Sequence, residues 1–264
     1  MNLEIKGHVV IVTGGAKGIG ESIVKGVAEE GGIPVIVNRP GPAGPALEKE
    51  LSAQGADCLF IEAELAKVAD CERVINTAVE KYGRIDALVN NAGKNDGVSL
   101  TKGSPEKFMK SLENNLLHYY TLAQLALPYL KKAKGSIVNI SSKTAVTGQG
   151  GTSAYIAAKG AQLALTREWA VELINDSIRV NAILPAEVWT PLYENWINSL
   201  EDPEGTLKKI TNQIPLEKRM TTSKEIADAA LFLISARASH ITGQHWYVDG
   251  GYTHLDRALG NINL

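Results

Sequence analysis

Tyr155 and Lys159 stand four residues apart in the run Tyr155-Ile156-Ala157-Ala158-Lys159, and Ser142 lies thirteen residues upstream. Four residues is about one helical turn, so both side chains fall on one helix face. An ammonium beside a phenol favours the phenolate and is expected to bring the tyrosine's pKa down towards neutrality. That makes a base able to take a proton from an alcohol, while a serine hydroxyl nearby holds the alcohol oxygen. Tyr-x-x-x-Lys by itself is also ordinary helix surface. The rest of the chain must therefore supply the other half of a redox site.

The chain has 264 residues, 44% of them hydrophobic and 21% charged, which suits one globular unit with a sizeable core. A single domain over residues 1–264 is the expectation. The net charge of −2 leaves no basic field to neutralise phosphates, so nucleic acid is not an expected partner. Two cysteines, Cys58 and Cys71, give no disulfide framework and point to a reducing, cytoplasmic location. The apolar run from Val9 to Val12 is too short to span a bilayer and leads straight into glycines. It reads as a strand rather than a signal peptide, and no membrane association is expected.

Strand patterns at Val9–Val12, Val35–Val37, Cys58–Ile61, Ala87–Val89, Ile137–Ile140, Ile178–Ile183 and Trp246–Val248 alternate with helical ones. The helical patterns include Leu47–Gln54 after a loop from Arg39 to Pro45, Val68–Tyr82, and Tyr155–Leu173. A further helix starts at Ser104-Pro105-Glu106, with Ser104 as N-cap, and runs with a bend to about Lys132. Ser223 is the expected N-cap of the helix ending at Ile234. Such alternation predicts an α/β fold with a doubly wound parallel sheet and helices on both faces.

Thr13-Gly14-Gly15-Ala16-Lys17-Gly18-Ile19-Gly20 follows the first strand and opens the first helix. Glycines there let a pyrophosphate approach the backbone, and a helix N-terminus offers free N–H groups and partial positive charge. Gly14, Lys17, Gly18, Ile19 and Gly20 are therefore candidate contacts of a dinucleotide. No Gly-Lys-Ser/Thr closes the motif, so it is not a Walker loop. The second strand ends Val37-Asn38-Arg39, without the carboxylate that would bind a free ribose diol. Arg39 and Lys17 favour the 2′-phosphate of NADP over NAD, although both are also what a solvated surface carries.

Together these motifs resemble the short-chain dehydrogenase/reductase family over nearly the whole chain. The resemblance rests on Thr13 to Gly20, Asn90-Asn91-Ala92-Gly93, Asn115, Ser142, Tyr155 with Lys159, Pro185 with Thr190, and Asp249-Gly250-Gly251. It implies a Rossmann-type sheet of about seven strands, a nicotinamide cofactor and a homotetramer. By that resemblance Tyr155 is the general base. Lys159 lowers its pKa and holds the nicotinamide ribose, Ser142 bonds the reacting oxygen, and Asn115 supports a proton-relay water. Asn91, Ala92 and Gly93 would flank the adenosine and ribose. Glu64 and Leu65 stand at the adenine, where the family usually has Asp and an apolar residue. Pro185, Val188 and Thr190 belong to the loop over the nicotinamide, and Ala186 departs from the usual glycine there.

A narrower likeness joins the chain to the bacterial L-fucose dehydrogenases within that family. It lies in Asn95-Asp96-Gly97, His118-Tyr119-Tyr120, Ser141 to Gly150, Gly160 to Val171, Pro185 to Val188, and Gly251 to Arg257. It implies oxidation of the anomeric hydroxyl of an aldose to the lactone. Candidate sugar contacts are Asn95, Asp96, Ser142, Lys143, Gln149 and Glu187, with Trp189 and Trp196 as an apolar wall over a helical excursion at about 187–215. Asn95-Asp96-Gly97 is equally a turn, Lys143 reads more readily as a solvated lysine, and Trp196 more readily as helix packing. His118 is either a substrate contact or a core or interface residue. No metal is expected.

Two rivals remain. A reductase for a carrier-bound acyl thioester or a steroid would use the same catalytic groups. A non-catalytic nucleotide sensor would not need Asn115, Ser142, Tyr155 and Lys159 together.

Overall fold

The structure, a computed structural model, describes residues 2–255. Asp256 and Arg257, part of the terminal likeness, lie outside the described residues.

Seven parallel strands form the sheet. They are β1 (Val9–Thr13), β2 (Ile33–Asn38), β3 (Leu59–Glu62), β4 (Ala87–Asn90), β5 (Ser136–Ile140), β6 (Arg179–Pro185) and β9 (His245–Val248), in the order β3-β2-β1-β4-β5-β6-β9. A two-stranded ribbon of β7 (Val188–Trp189) and β8 (Thr221–Thr222) stands apart. The order reverses between β1 and β4, so a crevice opens at their carboxyl ends, beside Thr13 and Asn90.

β1 is buried along its whole length because it faces helices on both sides. Its side chains alternate. Val10 and Val12 pack with Ile23, Val24 and Val27 of α1 (Gly18–Glu29), Leu47 and Leu51 of α2 (Ala43–Ala53), and Ile226 and Leu233 of α10 (Ser223–Ile234). Val9 and Ile11 pack with Val74 and Ile75 of α3 (Val68–Tyr82), Leu122 and Leu130 of α5 (His118–Ala133), and Trp169 of α7 (Ser153–Glu172). Each such aliphatic side chain contributes roughly 1.5–3 kcal/mol by leaving water.

Helix ends follow local chemistry. Ser104 caps α4 (Pro105–Leu112), accepting from the Lys107 N–H at 3.3 Å with Pro105 in the first turn. The cap of α10 is Thr222, not Ser223: its hydroxyl accepts from Glu225 N while Glu225 reaches back to Thr222 N, a reciprocal box that Ser223 could not close. α2 begins at Ala43, inside the stretch expected as loop. The expected bend between Ser104 and Lys132 is a π-helical turn, Glu113–Leu117, joining α4 to α5. The excursion after Thr190 is two helices, α8 (Pro191–Asn198) and α9 (Pro203–Thr211), parted where Asp202 caps the second. Among the described residues no helix is long and apolar enough to cross a membrane.

Candidate active site

The crevice is braced from within. Thr13 Oγ1 accepts from the N–H groups of Asn91 and Ala92, each at 2.9 Å, and Asn91 Nδ2 donates to Thr13 O at 2.9 Å and Gly14 O at 3.3 Å. Asn91 therefore spends its amide on the glycine turn. Gly14 and Gly18 have φ of 63° and 58°, a region where a side chain is strained. A Cβ on Gly20 would stand 2.2 Å from Gly14 O, so only glycine lets the helix start this close to the turn. Lys17, the residue before α1, provides no side-chain cap, which leaves the first N–H groups of the helix to an anion. This cradle fits a dinucleotide pyrophosphate.

Other cofactor candidates surround it. Thr190 caps α8 through the Tyr193 N–H at 3.2 Å, and its Cγ2 lies 3.3 Å from where a Cβ on Gly18 would be. The loop of Pro185, Val188 and Thr190 thus rests on the glycine turn, with Val188 buried. Leu65 is buried at the β3 end, and the Glu64 N–H donates to Asp70 Oδ2 at 2.7 Å. Arg39 and Lys17 are exposed, and Gly93 lies on the open side of the crevice.

Tyr155, Lys159, Ser142 and Asn115 converge. The π turn brings Asn115 fully inside, while Asn114 stays exposed. Asn115 Oδ1 accepts from Lys94 N at 2.7 Å and its Nδ2 donates to Ser111 O at 3.0 Å. Lys159 Nζ donates to Ile140 O at 2.7 Å and to Gln162 Oε1 at 3.2 Å, and lies 5.6 Å from the centroid of the Tyr155 ring. Thr144 Oγ1 donates to Ser142 Oγ at 2.9 Å.

The electrostatics differ from the expectation. Burial pushes the Tyr155 phenol up to about 12, opposed by its hydrogen bond with Ser142. Burial also pushes the Lys159 ammonium down to about 7. Desolvation is the largest cause of both shifts, and the ammonium's hydrogen bonds go to a main-chain carbonyl and an amide rather than to the phenol.

The expected sugar contacts divide. Lys143 is not solvated: it is buried and paired with Glu187 at 2.5 Å, and its Nζ lies 3.4 Å from the centroid of the Tyr252 ring. The other carboxylate oxygen of Glu187 accepts from the Tyr193 hydroxyl at 2.8 Å. Trp189, Tyr193 and Trp196 form a chain of rings, with centroids 6.4 Å and 5.1 Å apart. Asn95 is exposed and turns back on Gly97 N at 3.1 Å. Asp96 and Gln149 are exposed as well. His118 belongs to the core: its Nε2 meets Ala92 O at 3.1 Å, and burial pushes its imidazole down to about 4.

Sequence reasoning missed Gln162, Tyr193, Tyr252 and Thr144. Gln162 was findable, because it continues the stripe of Tyr155 and Lys159 by one more turn.

Comparison with known proteins agrees with this geometry. A family model described as enoyl-(acyl carrier protein) reductase matches residues 14–253. L-fucose dehydrogenase of Mus musculus is 39% identical over 93% of this chain and 88% of its own. The crystal structure of Cj0485 dehydrogenase superposes with a TM-score of 0.94 at 51% identity, covering 98% of each chain. L-sorbose reductase of Gluconobacter frateurii, solved with NADPH and L-sorbose, gives 0.92 at 28% identity, covering 97% of this chain and all (100%) of that one. The chain belongs to the short-chain dehydrogenase/reductase family. It is an NAD(P)-dependent oxidoreductase acting on CH–OH groups.

Proposed function

We propose that the protein oxidises the anomeric hydroxyl of an aldose, L-fucose or a sugar of related stereochemistry, to the aldonolactone, with NADP as the favoured acceptor. The observation that carries this reading is the Lys143–Glu187–Tyr193 cluster, its lysine buried and its other two members half-buried, with Lys143 next to Ser142 in sequence and Glu187 and Tyr193 on either side of Thr190. A hexose needs several directional polar partners beside one apolar wall. A carboxylate has about four acceptor sites and an ammonium three donors, so both keep capacity after pairing. Trp189 and Tyr193 provide the wall.

When bound, nicotinamide supplies the hydride acceptor. Gly14, Lys17, Gly18, Ile19, Gly20 and Arg39 would hold its phosphates and ribose, and Glu64, Leu65, Asn91, Ala92 and Gly93 its adenosine side. Lys159, Pro185, Val188 and Thr190 would hold the nicotinamide half. Ser142 fixes the anomeric oxygen, and Tyr155 takes its proton. Lys143, Glu187 and Trp189 contact the ring, with the segment at about 187–215 covering it. Asn95, Asp96 and Gln149 would reach the sugar from the exposed rim. The same reading makes the chain one catalytic domain, assembled as a homotetramer in the cytoplasm.

The mouse relative's name and the L-sorbose bound to the Gluconobacter enzyme support a sugar. The test is a panel of aldoses and simple alcohols with each nicotinamide, followed by absorbance of the reduced form. L-fucose and its stereochemical relatives should be oxidised fastest. Turnover of steroid alcohols or acyl thioesters alone would overturn the reading.

A further inference from the structure

Gln162 lies on the buried face of α7 and is fully enclosed. Its Nε2 donates to the main-chain carbonyl of Asn115 at 2.8 Å, and its Oε1 accepts from Lys159 Nζ at 3.2 Å. Chemistry fixes that orientation, since a carbonyl can only accept and an ammonium only donate. The carbonyl is offered by the π-helical turn at Glu113–Leu117. Gln162 O accepts from Thr166 Oγ1 at 2.8 Å, and that hydroxyl accepts in turn from Asn139 Nδ2 at 3.0 Å. Those two bonds steady the helix backbone beneath Gln162, while the side-chain amide itself is held at both ends, by Asn115 O and by Lys159 Nζ.

We propose that Gln162 is a positioning residue that sets the charge of Lys159, its amide oxygen being one of the two oxygens that carry the ammonium.

The other oxygen is Ile140 O at 2.7 Å. Groups facing Lys159 from the surrounding elements offer no countercharge. On α7 there is the Tyr155 ring, with its centroid 5.6 Å away, and on α5 the Tyr119 ring at 5.7 Å and the buried, neutral His118. From the loop after β4 comes Gly93, on which a Cβ would stand 3.7 Å from Nζ. Among the described residues no carboxylate is paired with Lys159. A buried ammonium without a countercharge depends on neutral oxygens, and losing one of two favours the uncharged amine. Because an amide shuttles no proton readily, the contact tunes charge without serving as a relay.

The inference rests on the proposed roles of Tyr155 and Lys159, but its test needs no sugar. The protein is labelled with 13C at lysine Cε, and the Lys159 signal is assigned by its loss in Lys159→Met. Its titration is then compared in wild type, Gln162→Met and Gln162→Glu. Met keeps the length without a strong acceptor, and Glu keeps both shape and acceptor if the first variant does not fold. The midpoint should fall by about one pH unit in Gln162→Met, and stand at or above the wild-type value in Gln162→Glu. An unchanged or raised midpoint in folded Gln162→Met, or a lowered one in Gln162→Glu, would overturn the proposal. If no aldose is oxidised the sugar reading fails, while this titration still reports on Gln162.

Discussion

Lys159 donates to Ile140 O at 2.7 Å, and its Nζ stands 5.6 Å from the centroid of the Tyr155 ring. The pair shares one face of α7, yet the ammonium is bonded to the floor of the site. Proximity along a helix is therefore not sufficient to lower the phenol's pKa. Desolvation acts on both groups and drives their pKa values in opposite directions.

The raised phenol has a kinetic consequence. Its phenolate fraction grows as pH rises, so oxidation in wild type should climb between about pH 7 and pH 10, and carbonyl reduction should fall over the same range. Initial rates in both directions across that range check this. An oxidation optimum at pH 6 would be inconsistent with it.

Tyr155→Phe removes the proton acceptor and nothing that touches the phosphate cradle. Oxidation should drop by on the order of 10³-fold or more. The dissociation constant of the reduced nicotinamide, read by fluorescence, should stay within about threefold of wild type.

Lys159 also bears on stability. Its folded pKa of about 7 lies below the ordinary lysine value of 10.5, so the unfolded chain binds its proton more tightly. The charged lysine thus costs the fold most below about pH 7, and the cost fades as pH rises from there towards 10.5. Lys159→Met should raise Tm at pH 6 by roughly 5 °C while removing activity, with a smaller gain at pH 9. Calorimetry at the two pH values measures it.

Lys143 and Glu187 form a mostly buried pair, with side chains 10% and 19% exposed. Removing one partner strands the other. Lys143→Met should lower Tm by roughly 5 °C, and adding Glu187→Gln should return part of that loss. If the cluster binds the sugar, KM for the aldose rises in both variants more than kcat falls.

Arg39 follows the last residue of β2 and is exposed, with no carboxylate in the adjoining run. Arg39→Ala should reduce kcat/KM for NADP by about tenfold and leave that for NAD within twofold. Equal losses for both cofactors would remove Arg39 from the discrimination.

The alternation of β-branched runs with helical stripes made the sheet readable, because period and burial are written locally. The Ser104 cap was readable for the same reason. Ser223 reads as the cap of α10 from sequence, and only the reciprocal bond with Glu225 gives that place to Thr222. Tyr155, Lys159 and Ser142 came from residue type and spacing, and Asn115 from the family resemblance alone. The state of Lys143 came from neither, since its carboxylate partner lies 44 residues away and the Tyr252 ring comes from beyond the last strand. Charge states were least legible: burial decides them, and burial belongs to the whole fold.

The most direct test of the central claim follows the hydrogen on the anomeric carbon. L-fucose deuterated at C1 is oxidised with the nicotinamide that supports turnover, and the reduced nicotinamide is analysed by mass. Deuterium should appear in the reduced ring, with L-fuconolactone formed in equal amount. Deuterium retained in the sugar product would place the chemistry at another carbon and contradict the account.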